Sequence, residues 1–174
     1  MGRPRGFDEA KAVAAAASLF AQLSYDGASV DDLVTETGVH RGSLYKTFGS
    51  KRGLYLRALR HHVDEDVTRF AGVVTDAGDL GTALRRALAA DDRPDLRFLV
   101  LAAAERAAVD EEVATEVARG LALLDGALRS LLTGPDADRL APGLTAVLLG
   151  LLLRSGADAG ATRDATEALV ARLR

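Results

Sequence analysis

Residues 29–54 read SVDDLVTETGVHRGSLYKTFGSKRGL. Ser29 is a good helix N-cap, and Asp32 three residues on can return the bond to the Ser29 amide. A helix is predicted over about 30–36, with Val30, Leu33 and Val34 as its inner face. Thr37-Gly38-Val39 breaks it, because Gly38 takes the positive φ that a tight helix–helix turn requires. A second short helix follows over about 40–47, with Leu44 and Phe48 directed inward. Ser50 caps a longer helix predicted over about 51–74. Two short helices across a three-residue glycine turn, behind a longer first helix, make a helix-turn-helix pattern.

The polar residues of the second short helix sharpen that pattern. His40, Arg41, Ser43, Tyr45, Lys46 and Thr47 are donors with no acid among them. A helix lying in a DNA major groove needs donors for phosphate and a few for base edges. Gly42 removes bulk near its start and permits close backbone approach.

Residues 29–54 resemble the DNA-binding signature of the tetracycline-repressor (TetR) family. The matching positions are Ser29, Val30, Leu33, Gly38, Val39, Gly42, Ser43, Leu44, Tyr45, Phe48, Ser50, Lys51 and Leu54. Gly2-Arg3-Pro4-Arg5 and Leu19-Phe20 also suit such a protein. The resemblance implies that Arg3 and Arg5 lie in a flanking minor groove, and that Ser29 helps present backbone N–H groups to a phosphate. It implies that Tyr45 and Lys51 contact phosphates, with Thr47 a further phosphate donor. Arg41, Ser43 and Lys46 are then the candidates for base edges, and His40 can reach DNA itself. Some positions depart from the family pattern. Val34 and Thr37 stand where small alanines are usual, Ser24 where a glycine is usual after the first helix, and His40 where a better N-cap is usual.

Outward from this stretch the chain reads as helix throughout. Asp8 opens a first helix to about residue 23, and Tyr25-Asp26-Gly27-Ala28 reads as a turn. Later helices are predicted over about 80–90, 94–107 (capped by Asp92, with Pro94 in its first turn), 110–132 and 162–173. Another ends near Arg154, with Pro142 either in its first turn or at a kink. The fold class is all-α: an N-terminal three-helix helix-turn-helix DNA-binding domain (1–50), then a larger helical ligand-binding and dimerisation domain (51–174).

Composition narrows the function. The chain has 174 residues, 48% of them hydrophobic, which is enough for a core. It has no cysteine, so disulfides, thiolate metal sites and cysteine nucleophiles are excluded. Net charge is −3, yet residues 1–60 carry nine Lys/Arg against six acids, a basic head on an acidic body. The longest uncharged apolar stretch, 141–153, is too short for an ordinary membrane span, and no signal-peptide pattern precedes the first helix. The expectation is a cytoplasmic protein with no membrane partner. His61 with Glu65, and His62 with Asp66, share a helix face, but two ligands on one helix do not complete a metal site, so these read as a solvated face or a helix-surface ion pair. No catalytic constellation, cofactor or metal is expected.

The segment around Leu144, Val147, Leu148, Leu151 and Leu152 leaves almost no polar face, and Ala146 and Gly150 allow close helix packing. Such a helix is buried on all sides, and a second copy of the chain is a source of the outer wall. The resemblance implies a homodimer interface of the last two long helices, with Val147, Leu148, Leu151, Leu152, Ala165 and Leu169 as candidates. A two-fold dimer implies a near-palindromic double-stranded DNA operator. Beyond residue 60 the only aromatics are Phe70 and Phe98, so a pocket for a small-molecule effector would be mostly aliphatic. Its candidate lining is Phe70, Phe98, Leu101 and Leu121, with Glu105 or Arg106 as a polar anchor. The chain thus reads as a ligand-responsive homodimeric repressor. The alternatives are a regulator of the same fold without a ligand, or a helical protein-interaction module that binds no DNA.

Overall fold

A computed structural model of the chain describes residues 7–89 and 95–172. Arg3, Arg5, Asp92 and Pro94 lie outside the described residues, as do the final residues of the helices expected to end at 90 and 173. Every regular element among the described residues is helical. In order they are α1 (Glu9–Gly27), α2 (Val30–Thr37), α3 (Arg41–Phe48), α4 (Lys51–His62), α5 (Thr68–Thr75), α6 (Leu80–Ala89), α7 (Arg97–Leu101), α8 (Glu111–Ser130), α9 (Ala137–Ala157) and α10 (Ala159–Arg172). Two π-helical turns, Val63–Val67 and Ala102–Arg106, follow α4 and α7.

These elements form two compact units. The first comprises the described residues up to Asp64 together with Arg97–Val117. Its centre is aromatic. The Phe20 ring lies 4.8 Å from Tyr55 and 5.9 Å from Phe98, and Tyr55 lies 5.2 Å from Phe98. All three side chains are fully buried, and each contributes on the order of 2 kcal/mol of apolar burial. This core fixes α1 against α4 and α7, and α2 and α3 pack on that base. A charged seam closes it. Arg52 donates two 2.7 Å hydrogen bonds to Asp110 and one of 3.0 Å to Glu112, while Arg60 donates to Glu116 at 2.8 Å. Asp110 also accepts from the Val113 amide and so caps α8. The Arg52 guanidinium, the largest influence, and the helix amide together hold the Asp110 carboxyl below its ordinary pKa, against the opposing effect of burial.

The second unit comprises the described part of Glu65–Leu96 and Ala118–Arg174. There α6 packs on α5, α9 and α10. Thr145 on α9 donates to Asp125 on α8, Arg129 pairs with Asp138, and Arg85 donates two 2.8 Å bonds to Glu167.

Several expectations require correction. No turn ends α1 at Leu23. The helix resumes after one non-helical residue, Ser24 (φ 62°, ψ −178°), and runs to Gly27. The long helix from Lys51 contains the π-helical turn. His62 does not belong to a solvated face: it is buried, with its ring 5.5 Å from Phe98. Pro142 lies inside α9 rather than in its first turn, and α10 starts at Ala159, where the Asp158 carboxylate caps the Ala161 amide. Because α9 begins at Ala137, it is longer than the uncharged stretch within it. By length and composition it is long and apolar enough to cross a membrane. Within this chain one face of α9 is covered and the other is open. Ala137, Ala141, Thr145 and Leu148 face inward, whereas Leu140, Val147 and Leu153 are exposed.

Candidate nucleic-acid interface

The site is built from local sequence rules. Ser29 accepts from the Asp32 amide at 3.1 Å, and the Ser29 amide donates to the Asp32 carboxylate at 2.8 Å. The Ser29 hydroxyl also donates to the Asp32 carboxylate at 2.6 Å, and this bond first, with that of the Ser29 amide, holds Asp32 below the ordinary carboxylate pKa. The reciprocal pair completes a capping box and leaves the Val30 and Asp31 amides without an intrahelical partner. Gly38 has φ 66° and ψ 15°, the left-handed conformation that lets the chain turn sharply into α3. Leu33, Val39, Leu44 and Phe48 are buried beneath this pair of helices.

With Leu44 and Phe48 inward, the rest of α3 and its cap faces outward. His40, Arg41, Gly42, Ser43, Tyr45, Lys46 and Thr47 are all exposed. His40 makes no side-chain cap hydrogen bond. The surface is a row of donors on a rigid helix that presents no acid of its own. Asp31 on α2 qualifies this: Arg41 donates to its carboxylate at 2.7 Å, and the pairing raises the Arg41 pKa. The base-reading candidate is therefore already engaged in this structure, and an exposed pair of this kind is weak enough to exchange.

At the start of α4, Ser50 accepts from the Gly53 amide at 3.0 Å. Lys51 and Arg52 occupy the first turn, where the helix dipole disfavours cations and favours an anion. Their roles differ. Arg52 is committed to Asp110 and Glu112. Among the described residues neither Lys51 nor Lys46 has a carboxylate partner. Tyr45, Ser50 and Lys51 line one open groove together with Val30, Leu33 and Leu44. Residues bearing a hydroxyl and an ammonium thus border one groove at a helix N-terminus, groups of the kind that bind phosphate.

Of the DNA-contact candidates, Ser29, His40, Arg41, Gly42, Ser43, Tyr45, Lys46, Thr47 and Lys51 lie on this helix pair and the helix that follows it, while Arg3 and Arg5 fall outside the described residues. The pocket candidates are divided. Phe98, Leu101 and Glu105 belong to the first unit, with Phe98 buried in the aromatic core and Glu105 exposed. Phe70 and Leu121 belong to the second, Phe70 fully buried and Leu121 half-buried. Of the interface candidates, Leu148 is buried within its own unit. Val147 and Ala165 are exposed, and Leu151, Leu152 and Leu169 are half-buried. No group of three His, Cys, Asp or Glu residues able to hold a metal ion occurs among the described residues.

Two residues of this site escape a reading of the sequence. Asp31 is one, since its pairing with Arg41 spans two helices. Gly53 is the other. A Cβ placed there would lie 2.0 Å from the Phe48 carbonyl oxygen, so α3 ends directly against the start of α4. The one signal was a glycine in the first turn of a well-capped helix, where glycine is otherwise unfavourable.

Comparison with known proteins agrees with this geometry. The profile of the bacterial regulatory proteins of the tetR family matches residues 12–58, which run from α1 into α4. The transcriptional repressor AcnR of Corynebacterium efficiens is 31% identical over 150 residues, spanning 86% of this chain and 77% of its own. The transcriptional repressor BdcR of Escherichia coli is 37% identical over 83 residues, which is 48% of this chain and only 42% of BdcR. Among solved structures, a cysteine mutant of the TetR family regulator CifR, in complex with 26-base-pair operator DNA, superposes with a TM-score of 0.74. It shares 29% identity and covers 98% of this chain and 97% of its own. The chain belongs to the tetR family of bacterial regulatory proteins.

Proposed function

We propose that the protein is a sequence-specific, non-enzymatic DNA-binding repressor of transcription, acting in the cytoplasm as a homodimer on a near-palindromic operator. The observation that carries this reading is the outward row of donors on α3 beside the Tyr45–Ser50–Lys51 groove. Lys51, Tyr45 and Thr47 hold phosphates, with Arg3, Arg5 and the Ser29 cap adding contacts. Arg41, Ser43 and Lys46 read base edges from α3, and Arg41 first exchanges Asp31 for a guanine. DNA recognition is assigned to residues 1–50, although α1–α3 share a compact unit with α4 and Arg97–Val117.

Dimerisation is assigned to α9 and α10 through Val147, Leu151, Leu152, Ala165 and Leu169. Support comes from the outer face of α9, where Leu140, Val147 and Leu153 are exposed beside small Gly143, Ala146 and Gly150. A second copy covers such a face at no polar cost. Two copies place their α3 helices in successive major grooves, about 34–36 Å apart. A small, mainly apolar effector bound within residues 51–174 favours a spacing of the two helices that no longer fits both half-sites, and it acts only through its difference in affinity for the two forms.

Retention of a duplex by the purified protein tests the reading. Arg41→Ala should relax sequence preference, and Lys51→Ala should weaken binding at every sequence with a shallower salt dependence. Wild-type retention by both variants would refute it.

A further inference from the structure

Two cations share one aromatic ring at the start of α4. The Nζ of Lys51 lies 4.5 Å from the centre of the Tyr25 ring, and the guanidinium carbon of Arg106 lies 4.4 Å from the same centre. Tyr25 is brought there by a backbone of unusual geometry. Ser24 before it holds φ 62° and ψ −178°, a combination that is essentially glycine's alone. The ring is then fixed edge-on against buried Tyr55 at 4.9 Å.

Arg106 ends the π-helical turn Ala102–Arg106, an irregularity often retained at functional positions. Its Nε is buried with no hydrogen-bond partner. Its compensation comes from the ring and from Asp110, 3.8 Å away. Asp110 takes both bonds from Arg52, the residue after Lys51. The chain of contacts Lys51–Tyr25–Arg106–Asp110–Arg52 therefore closes on the first turn of α4.

A lysine in that turn is pushed outward by the helix dipole, and its four-carbon stem leaves the ammonium many positions. The negative face of an aromatic ring attracts a cation and narrows that choice. We propose that Tyr25 is a positioning residue for the Lys51–phosphate contact, with Arg106 fixing the ring from the other helix. This rests on the reading of Lys51 as a phosphate contact.

The test measures affinity of the full chain for a random-sequence duplex across a range of salt concentrations. Lys51→Ala should weaken binding and lower the salt slope by about 0.9. Tyr25→Leu should lower the slope similarly, although Lys51 is still present, and weaken binding about two- to five-fold. The double variant should bind no worse than Lys51→Ala alone, and Tyr25→Phe, which keeps the ring, should match wild type. If Tyr25→Leu unfolds, Tyr25→Met keeps the bulk without the ring and takes its place. A wild-type slope in the ring-less variant, or additive losses in the double variant, overturns the positioning role while the phosphate contact stands. A Lys51→Ala protein indistinguishable from wild type overturns both.

Discussion

Replacing Ser24 by glycine should stabilise the protein. Ser24 is the only non-glycine residue with positive φ among the described residues, and its ψ of −178° takes it outside the left-handed helical region into one that side chains rarely occupy. Holding a residue there costs about 1–3 kcal/mol. Glycine removes that strain but adds about 0.5–1 kcal/mol of backbone entropy to the unfolded chain. The difference is a net gain of about 1 kcal/mol, or a rise in Tm of about 2–4 °C for a chain of this size. Ser24→Ala is the control, since it removes the hydroxyl and leaves the Cβ that causes the strain. Thermal unfolding by circular dichroism, with Ser24→Gly, Ser24→Ala and wild type side by side, decides the matter. A Ser24→Gly protein no more stable than wild type, or an alanine variant that gains as much, would refute the strain argument.

Three further outcomes follow from the packing. Gly53→Ala should destabilise by about 1–3 kcal/mol, because its Cβ meets the Phe48 backbone oxygen at 2.0 Å; thermal unfolding reads the loss, and DNA affinity should fall with it. The pKa of Asp110 is lowered from its ordinary 3.8, so its contribution to stability is present above that value and is lost as pH falls through the folded-state pKa. The stability difference between wild type and Asp110→Asn, from denaturant titrations, should therefore be full at pH 6 and shrink steadily below pH 4. Val147→Glu places a charge on the exposed apolar face of α9 and should convert a dimer to monomer in sedimentation velocity, with Tm falling only through loss of the partner.

The parts of the fold that depend on neighbours in sequence were legible. Ser29, Asp32, Gly38 and Ser50 act within three residues of themselves, and they mark α2, α3 and the start of α4 correctly. Leu33, Leu44 and Phe48 took their inward positions from helical spacing. What escaped was long-range. Arg52 finds Asp110 across 58 positions, Arg41 finds Asp31 across ten, and His62 is buried by Phe98, a residue far along the chain. No periodicity encodes such partners. The kink at Ser24 was hidden for another reason. Serine carries no signal for positive φ, and the departure from a usual glycine was the single hint. The outer face of α9 is apolar in sequence, and within this chain Leu140, Val147 and Leu153 are exposed there.

Selection of bound duplexes from a random library, by the purified protein without added ligand, tests the central claim most directly. The account predicts an enriched near-palindrome with half-sites about one helical turn apart, its sequence preference relaxed when Arg41 is replaced by alanine and its retention weakened at every sequence when Lys51 is. A folded dimer that retains DNA but enriches no sequence, or retains none at all, would contradict it.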